Sequence, residues 1–512
     1  MNTQSRIHNT ITNAIVNVGG QIVTLVINFL TRIIFINAFG ENYLGINGLF
    51  SNILSILSLA ELGVGSAIIY SMYKPIAEKD YPRLSALMNY YKKLYHYIGG
   101  IVAAIGLLLV PFLKYLVNIE TDIGNVTVYY LLYLMNTVSS YFLVYKTAIL
   151  TADQKNYIIK VCNVVISLVQ FVVLAFVALA YKNYYVYLAL HIAFSILNNY
   201  ICSKIAEKKY PFIIERYELG KEDKKSIWSS ILAMFSYQVG NVILNNTDNI
   251  LISVMISTVT VGFYSNYSMI IVAVATFMQL IFTSLQASIG NLAAEGNEEK
   301  QSQIFNVIQF ASFWMTSFCC ISFAVLFQDF ITMLYTDHYL LDYSIVLICV
   351  FNFYVQFILY PIYCFRSTVG LFKQTKWIML FTSATNLILS ITLGKYIGLA
   401  GILFATGISR LVTNFWFEPI KLFKVYFKKS PKMYFIKQLF YCLFTMLMVF
   451  GMLMMGSLLN NINLFFRFFI KVAMCAVIPN TLYFVIFRKN ENYKYIVNVF
   501  GGKFRGFLNR KA

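Results

Sequence analysis

Apolar stretches of about 20 residues or more, each long enough as a helix to cross roughly 30 Å of hydrocarbon, recur along the whole sequence. No other feature limits the fold as strongly. Fourteen are readable, at 12–38, 45–72, 94–117, 125–150, 156–180, 184–206, 226–254, 259–289, 304–327, 343–366, 375–396, 399–420, 433–458 and 464–487. With 59% hydrophobic and 12% charged residues in a chain of 512, the composition is far too apolar for a water-soluble globule of this size. The expectation is an all-α integral membrane protein of about 14 transmembrane helices with no soluble domain. The first stretch is too long for a secretory h-region and lacks a small-residue cleavage site, so it reads as a retained helix.

Loop charges test that count independently. With the N-terminus inside, the inner loops hold Lys74, Lys79, Arg83, Lys92 and Lys93, the run from Lys204 to Lys225, Lys373 and Lys376, the run from Lys421 to Lys437, and a tail from Arg488 to Lys511. The outer loops hold only Lys114, Lys182 and Lys395. Short cytoplasmic loops collect Lys and Arg, so both termini are expected to be cytoplasmic. One inner loop, "AAEGNEEKQ", departs from the pattern, with Lys300 beside three glutamates. The net charge of +19 is then mainly an orientation signal, with attraction to anionic membrane lipids on the inner side. Nucleic-acid binding would need a soluble basic face, and there is none. The eight cysteines lie inside the spans without C-x-x-C spacing, as small packing residues do. Four histidines show neither an i,i+4 pair nor a nearby carboxylate, so no metal and no cofactor are expected.

The pattern restarts after the polar segment "EKKYPFIIERYELGKEDKKS" (207–226). Helix 1 carries Asn17, Gln21, Thr24, Asn28 and Arg32 on one face, and helix 7 carries Gln238, Asn241, Asn245 and Asp248 on one face. A "TR" pair precedes "YLGINGLF" in the first copy as "TD" precedes "TVGFYSNY" in the second. This predicts a six-helix bundle over 1–206, a cytoplasmic linker over 207–225, a second six-helix bundle over 226–428, and two additional transmembrane helices with a basic tail over 429–512. Six is even, so the bundles form a parallel pseudo-repeat around a central cavity.

Arg32 lies well inside the first span, where a charge costs a few kcal/mol unless it faces protein or water. Helix 2 offers a matching polar face, Asn47, Ser51, Ser55, Ser58 and Glu61. Two readings follow: a shared hydrated cavity, or an Arg32–Glu61 pair that only locks the two helices together. The other charges within spans are mostly basic: Lys146, Lys160, Arg366 and Arg410, against Glu61, Asp248 and, at an inner margin, Glu418. Lys160, Arg366 and Arg467 near span ends read as snorkelling anchors, whereas Arg32 and Arg410 are too deep for that. A cavity whose deep charges are net basic suits a phosphate-bearing cargo, since guanidinium offers phosphate a fork of donors. Tyrosines and amides on helices 4 and 10, including Tyr133, Asn136 and Gln356, could stack on and hydrogen-bond to sugars.

The stretch "TRIIFINAFGENYLGINGLFSNILSILSLAELGVGSAIIYSMYKPIAEKDYPRLSALMNYYKKLYHYIG" (31–99) resembles the opening of the Wzx-type flippases of the multidrug/oligosaccharidyl-lipid/polysaccharide (MOP) flippase superfamily. The resemblance rests on the helix 1 arginine, "YLGINGLF", "LAELGVG", "YKPIAEKD" and "YYKKLY". It implies a protein of the bacterial cytoplasmic membrane that moves undecaprenyl-pyrophosphate-linked oligosaccharide repeat units to the outer leaflet for capsule, O-antigen or exopolysaccharide synthesis. Membrane lipids, a polysaccharide polymerase and chain-length proteins are the partners it implies. The candidate cavity residues are Arg32, Arg410, Asn28, Gln21, Asn17, Glu61, Ser58, Asn245, Asp248, Gln356 and Lys146. Arg32 and Arg410 are expected to hold pyrophosphate, and Glu61 and Asp248 to set charge balance or answer to a coupling ion, H⁺ or Na⁺. A cation-coupled multidrug exporter of the same superfamily is the alternative, although helix 1 has no carboxylate to attract an organic cation. An enzyme would need catalytic carboxylates on a sizeable loop, and no loop extends much beyond about 20 residues.

Overall fold

The computed structural model describes residues 3–498 except 62, 120–122, 216, 295–296, 370, 372–374 and 376. Lys373, Lys376, part of the acidic loop at 295–296 and the tail beyond 498 lie outside the described residues. Among the described residues the chain is helical, without strands. By packing it divides into two units, Met1–Phe263 and Tyr264–Ala512.

The first unit holds α1 (Thr3–Phe39), α2 (Glu41–Leu57), α3 (Val64–Glu78), α4 (Tyr81–Leu108), the short α5 (Leu113–Leu116), α6 (Val126–Tyr141), the short α7 (Ala148–Ala152), α8 (Asn156–Ala180), α9 (Tyr184–Lys209), α10 (Lys221–Met255) and the start of α11 (Thr258–Ala294). Polar caps fix several of the starts. The Asp80 carboxylate accepts from the Arg83 N–H ahead of α4, and the Asn125 and Asn183 side chains cap α6 and α9. The longest packing seams join α1 to α8, α8 to α9, and α6 to α9, while α10 lies on α2 and α3. Helix α2 meets the start of α11 backbone to backbone: a Cβ on Gly45 would come within 2.0 Å of the Thr258 carbonyl oxygen, which leaves room for glycine alone. The repeat-based division at 207–225 concerns sequence copies; the packing division falls later because α10 packs within the first unit.

The second unit continues α11 and adds α12 (Glu298–Tyr335), α13 (Tyr343–Ile358), α14 (Tyr360–Thr368), α15 (Ile378–Val412), α16 (Asn414–Lys421), α17 (Lys432–Ser457) and α18 (Leu464–Phe487). Helix α12 packs on α13, α17 and α18. Its Phe310 and Phe313 join Tyr441, Tyr483 and Phe487 in one apolar core, with Phe313 stacked on Tyr441 at 4.0 Å between ring centres. On the outside, large apolar side chains stand exposed along whole helices: Val172 and Phe176 on α8, and Leu443, Leu447 and Phe450 on α17. Apolar surface of that extent calls for lipid.

Ten segments among the described residues are long and apolar enough to cross a bilayer. One of them, Ile378–Phe427, covers the spans expected at 375–396 and 399–420 and breaks at Ile397 and Gly398, where Gly398 takes φ +57°. Three further expected spans are helical but interrupted or polar. The span at 45–72 is split by a 3₁₀ turn at Ser58–Glu61 and a left-handed Gly63. The one at 125–150 leaves the α-helix after Tyr141. Within 226–254, α10 carries Asn241, Asn245, Asn246, Asp248 and Asn249. These interruptions are compatible with the expected fourteen.

The three basic residues that read as snorkelling anchors have protein partners. The Lys160 ammonium donates to Gln21 Oε1 at 3.1 Å. Arg366 is buried against Glu418 at 2.6 Å. Arg467 pairs with Asp329 at 2.7 Å, and Lys471, which the sequence reading passed over, meets the same carboxylate at 2.8 Å. The expected span at 304–327 stopped short of Asp329, but α12 runs on to Tyr335 and buries it. A buried carboxylate thus pairs with both cations.

Candidate functional site

Five helices of the first unit, α1, α2, α6, α8 and α9, line a cavity of about 590 Å³. Polar side chains line it from every helix: Asn28 and Thr31 on α1, Asn47, Ser51 and Ser55 on α2, Asn136 and Thr137 on α6, Ser167 and Gln170 on α8, and His191 on α9, with those of α1, α2 and α8 at helical spacing. Tyr133 and Tyr187 add aromatic side chains. No Asp, Glu, Lys or Arg is among the described lining residues. The side chains of Asn28, Asn136, Gln170 and His191 meet no protein hydrogen-bond partner among the described residues. Polar groups left without protein partners at membrane depth cost free energy unless water or a polar ligand meets them, so the cavity is one that water or cargo fills.

Arg32 stands one helical turn beyond Asn28 and next to Thr31, half-buried. Its charge acts on the Tyr133 hydroxyl of the cavity wall. That hydroxyl shares a hydrogen bond of 3.1 Å with Tyr184, within a cluster where Phe35 and Phe39 pack edge-on against Tyr184 and Tyr187. Arg32 thus lies near Tyr133, beside the neutral cavity.

The other candidates are placed as follows. Asn17 and Gln21 lie earlier on α1, outside the lining, with Gln21 taken by Lys160. Ser58 donates to the Leu54 carbonyl at 2.9 Å, and Glu61 accepts from the Tyr95 hydroxyl at 2.5 Å. Among the described residues Glu61 has no basic partner; hydroxyls of Tyr95 and Tyr141 surround it. Lys146 forms an ion pair with Glu207, which Lys204 also reaches at 2.8 Å. On α10, Asn245 is exposed and donates to the Asn241 carbonyl at 2.8 Å, while Asp248 is buried. In the second unit the buried Arg410 donates through Nη1 to Gln356 Oε1 at 3.0 Å. Asn28 is thus the one candidate that lines the cavity, with Arg32 at its edge. Ser167, Gln170 and His191 were missed, although Ser167 and Gln170, three apart in the apolar run "ISLVQFVV", carry the same stripe signal as α1.

Bilayer-length helices, several of them gathered around a polar, uncharged cavity, define a multi-pass membrane protein. The relationship can be stated more narrowly. Residues 10–289 match the family described as polysaccharide biosynthesis protein, and the chain belongs to that family. No functionally curated protein matches the sequence. Among solved structures, a lipid II flippase MurJ in an inward closed conformation is similar with a TM-score of 0.65 at 16% identity, covering 94% of this chain and 99% of that one. An inward-facing multidrug resistance MATE family transporter of the MOP superfamily gives 0.62 at 16%, covering 79% and 97%. A variant of the Vibrio cholerae MATE transporter VcmN gives 0.56 at 14%, covering 83% and 99%. At such identities the likeness establishes a shared fold, one that the MurJ and MATE structures have in common with this chain.

Proposed function

We propose that this protein is a flippase that carries undecaprenyl-pyrophosphate-linked oligosaccharide repeat units from the inner to the outer leaflet of the cytoplasmic membrane, for capsule, O-antigen or exopolysaccharide synthesis. The observation that carries this reading is the cavity of the first unit: polar and uncharged, with the permanent cation of Arg32 at its edge. A sugar attached to pyrophosphate needs hydroxyl-matching amides and a phosphate-matching guanidinium side by side, while the polyprenyl tail stays in lipid. Family membership supports it, as does the likeness to a structure described as a lipid II flippase. Transport proceeds by alternating access of two repeated halves, with Arg32 and Arg410 as the phosphate-binding cations, Glu61 and Asp248 answering to a coupling ion, and both termini cytoplasmic.

The MATE-like fold favours a second reading, a cation-coupled drug exporter. A site for organic cations draws on carboxylates and aromatic cages, and the described lining carries no carboxylate. Deleting the gene separates the two. A flippase loss leaves lipid-linked oligosaccharide accumulating on the inner leaflet with drug tolerance unchanged; an exporter loss leaves the lipid pool normal and sensitises the cells to cationic drugs.

A further inference from the structure

The cavity and Arg32 differ in what they can bind. Carboxylate, ammonium and guanidinium are absent from the described lining, whereas amide, hydroxyl and imidazole groups converge there from five helices. Charged phosphate would enter such a pocket without a counter-charge and lose its hydration, which is costly. Uncharged hydroxyls would instead trade water for the unpartnered amides of Asn28, Asn136 and Gln170, each able both to donate and to accept. Tyr133 adds an aromatic side chain to the lining, of the kind that the C–H sides of a pyranose ring pack against. The volume of about 590 Å³ falls within the range of roughly 300–1,000 Å³ usual for small-molecule sites. Arg32 lies about 6 Å farther along α1 than Asn28, four residues at the helical rise, which is the placement a phosphate bonded to the first sugar would need.

We infer that, in the flippase proposed above, the cavity of the first unit is a subsite for the uncharged saccharide, separate from the phosphate contact at Arg32. The inference rests on that functional reading and adds a division of labour within it: the amide-lined pocket senses whether the carrier is loaded, and the arginine senses the pyrophosphate common to loaded and bare carrier alike.

The test compares, for the purified full-length protein in lipid nanodiscs, binding of undecaprenyl pyrophosphate bearing the repeat unit extracted from the protein's host cells with binding of bare undecaprenyl pyrophosphate. The ratio of the two affinities reads the sugar contact alone. In the Asn136→Leu, Gln170→Leu double variant the ratio is expected to fall by about 25-fold, two hydrogen-bonding groups at roughly fivefold each, with affinity for the bare carrier unchanged. Arg32→Ala should weaken both ligands together and leave the ratio intact. Should the leucine pair fail to fold, Asn28→Ala with Ser167→Ala truncates the same wall and reads the same ratio. An unchanged ratio in the cavity variants, or an equal loss for both carriers, overturns the inference while leaving the flippase reading standing. A wild-type protein that binds neither carrier defeats the flippase reading, and the subsite with it.

Discussion

Arg366 and Glu418 give the sharpest test of the energetics inside the second unit. Their side chains are 6% and 0% exposed, with Nη1 and Oε1 2.6 Å apart. The Asn414 amide donates to the same carboxylate oxygen at 3.2 Å, and the guanidinium lies 5.2 Å from the Tyr363 ring centre. Arg366→Ala strands a carboxylate in a dry site, and removing one partner of such a pair costs about 3–5 kcal/mol. Loss of the cation–π contact adds roughly 0.5–2 kcal/mol. Replacing both residues by apolar ones of similar volume, Arg366→Met with Glu418→Leu, removes the need for pairing and should leave stability within about 1 kcal/mol of wild type or above it. Equilibrium unfolding in mixed detergent micelles, followed by intrinsic fluorescence, gives all the arms of this cycle, and membrane abundance gives a second readout. The reasoning fails if Arg366→Ala costs less than about 1 kcal/mol, or if the double variant is as unstable as the single one, because either result would mean that water reaches the pair.

Other consequences follow from the first unit. Arg32→Ala should leave the protein inserted and at normal abundance while repeat-unit export stops, and Arg32→Lys should restore only part of it, since an ammonium replaces a bidentate fork by a point charge; pulse-labelled surface polysaccharide is the readout, and full export by the alanine variant would exclude the phosphate role. A cysteine at Asn28, on the cavity wall, should react with a small water-soluble thiol reagent in cells, whereas one at Leu30, exposed on the same helix and not on that wall, should stay protected by lipid. Gly45→Ala brings a methyl into the Thr258 carbonyl and should destabilise the first unit by about 1–3 kcal/mol as α2 and α11 are forced apart; a thermal midpoint equal to wild type would show that the helices slide freely there.

Much of this architecture is legible in the sequence because bilayer crossing leaves a direct trace: length and apolarity define a span, and Lys and Arg punctuate the loops. The exceptions share one cause. Residues 45–72 and 125–150 are apolar enough to read as spans, yet they break at Ser58–Glu61 and after Tyr141, since average hydropathy is blind to backbone conformation. Polar faces are legible too, as with Asn28 and Arg32, but a stripe shows only that a helix has a polar side, not what that side meets. Gln21 meets Lys160, Lys146 meets Glu207, and Arg366 meets Glu418, contacts between elements 52 to 139 residues apart that no local pattern encodes. Glu61, which the sequence offers as a partner for Arg32, sits among tyrosine hydroxyls contributed by α4 and α6. His191 reads in the sequence only as one of four isolated histidines, because a single histidine in an apolar run carries no periodic signal.

The central claim is transbilayer movement of a sugar-loaded polyprenyl pyrophosphate, and proteoliposomes measure it most directly. With a fluorescent repeat-unit-loaded carrier incorporated during reconstitution, a membrane-impermeant glycosidase added outside cleaves only the outer-leaflet fraction. Wild-type protein should make nearly the whole pool cleavable and Arg32→Ala about half, the static outer share, as in protein-free vesicles. Cleavage that stops near half with wild-type protein at full reconstitution, or that reaches completion equally with Arg32→Ala, would contradict the account.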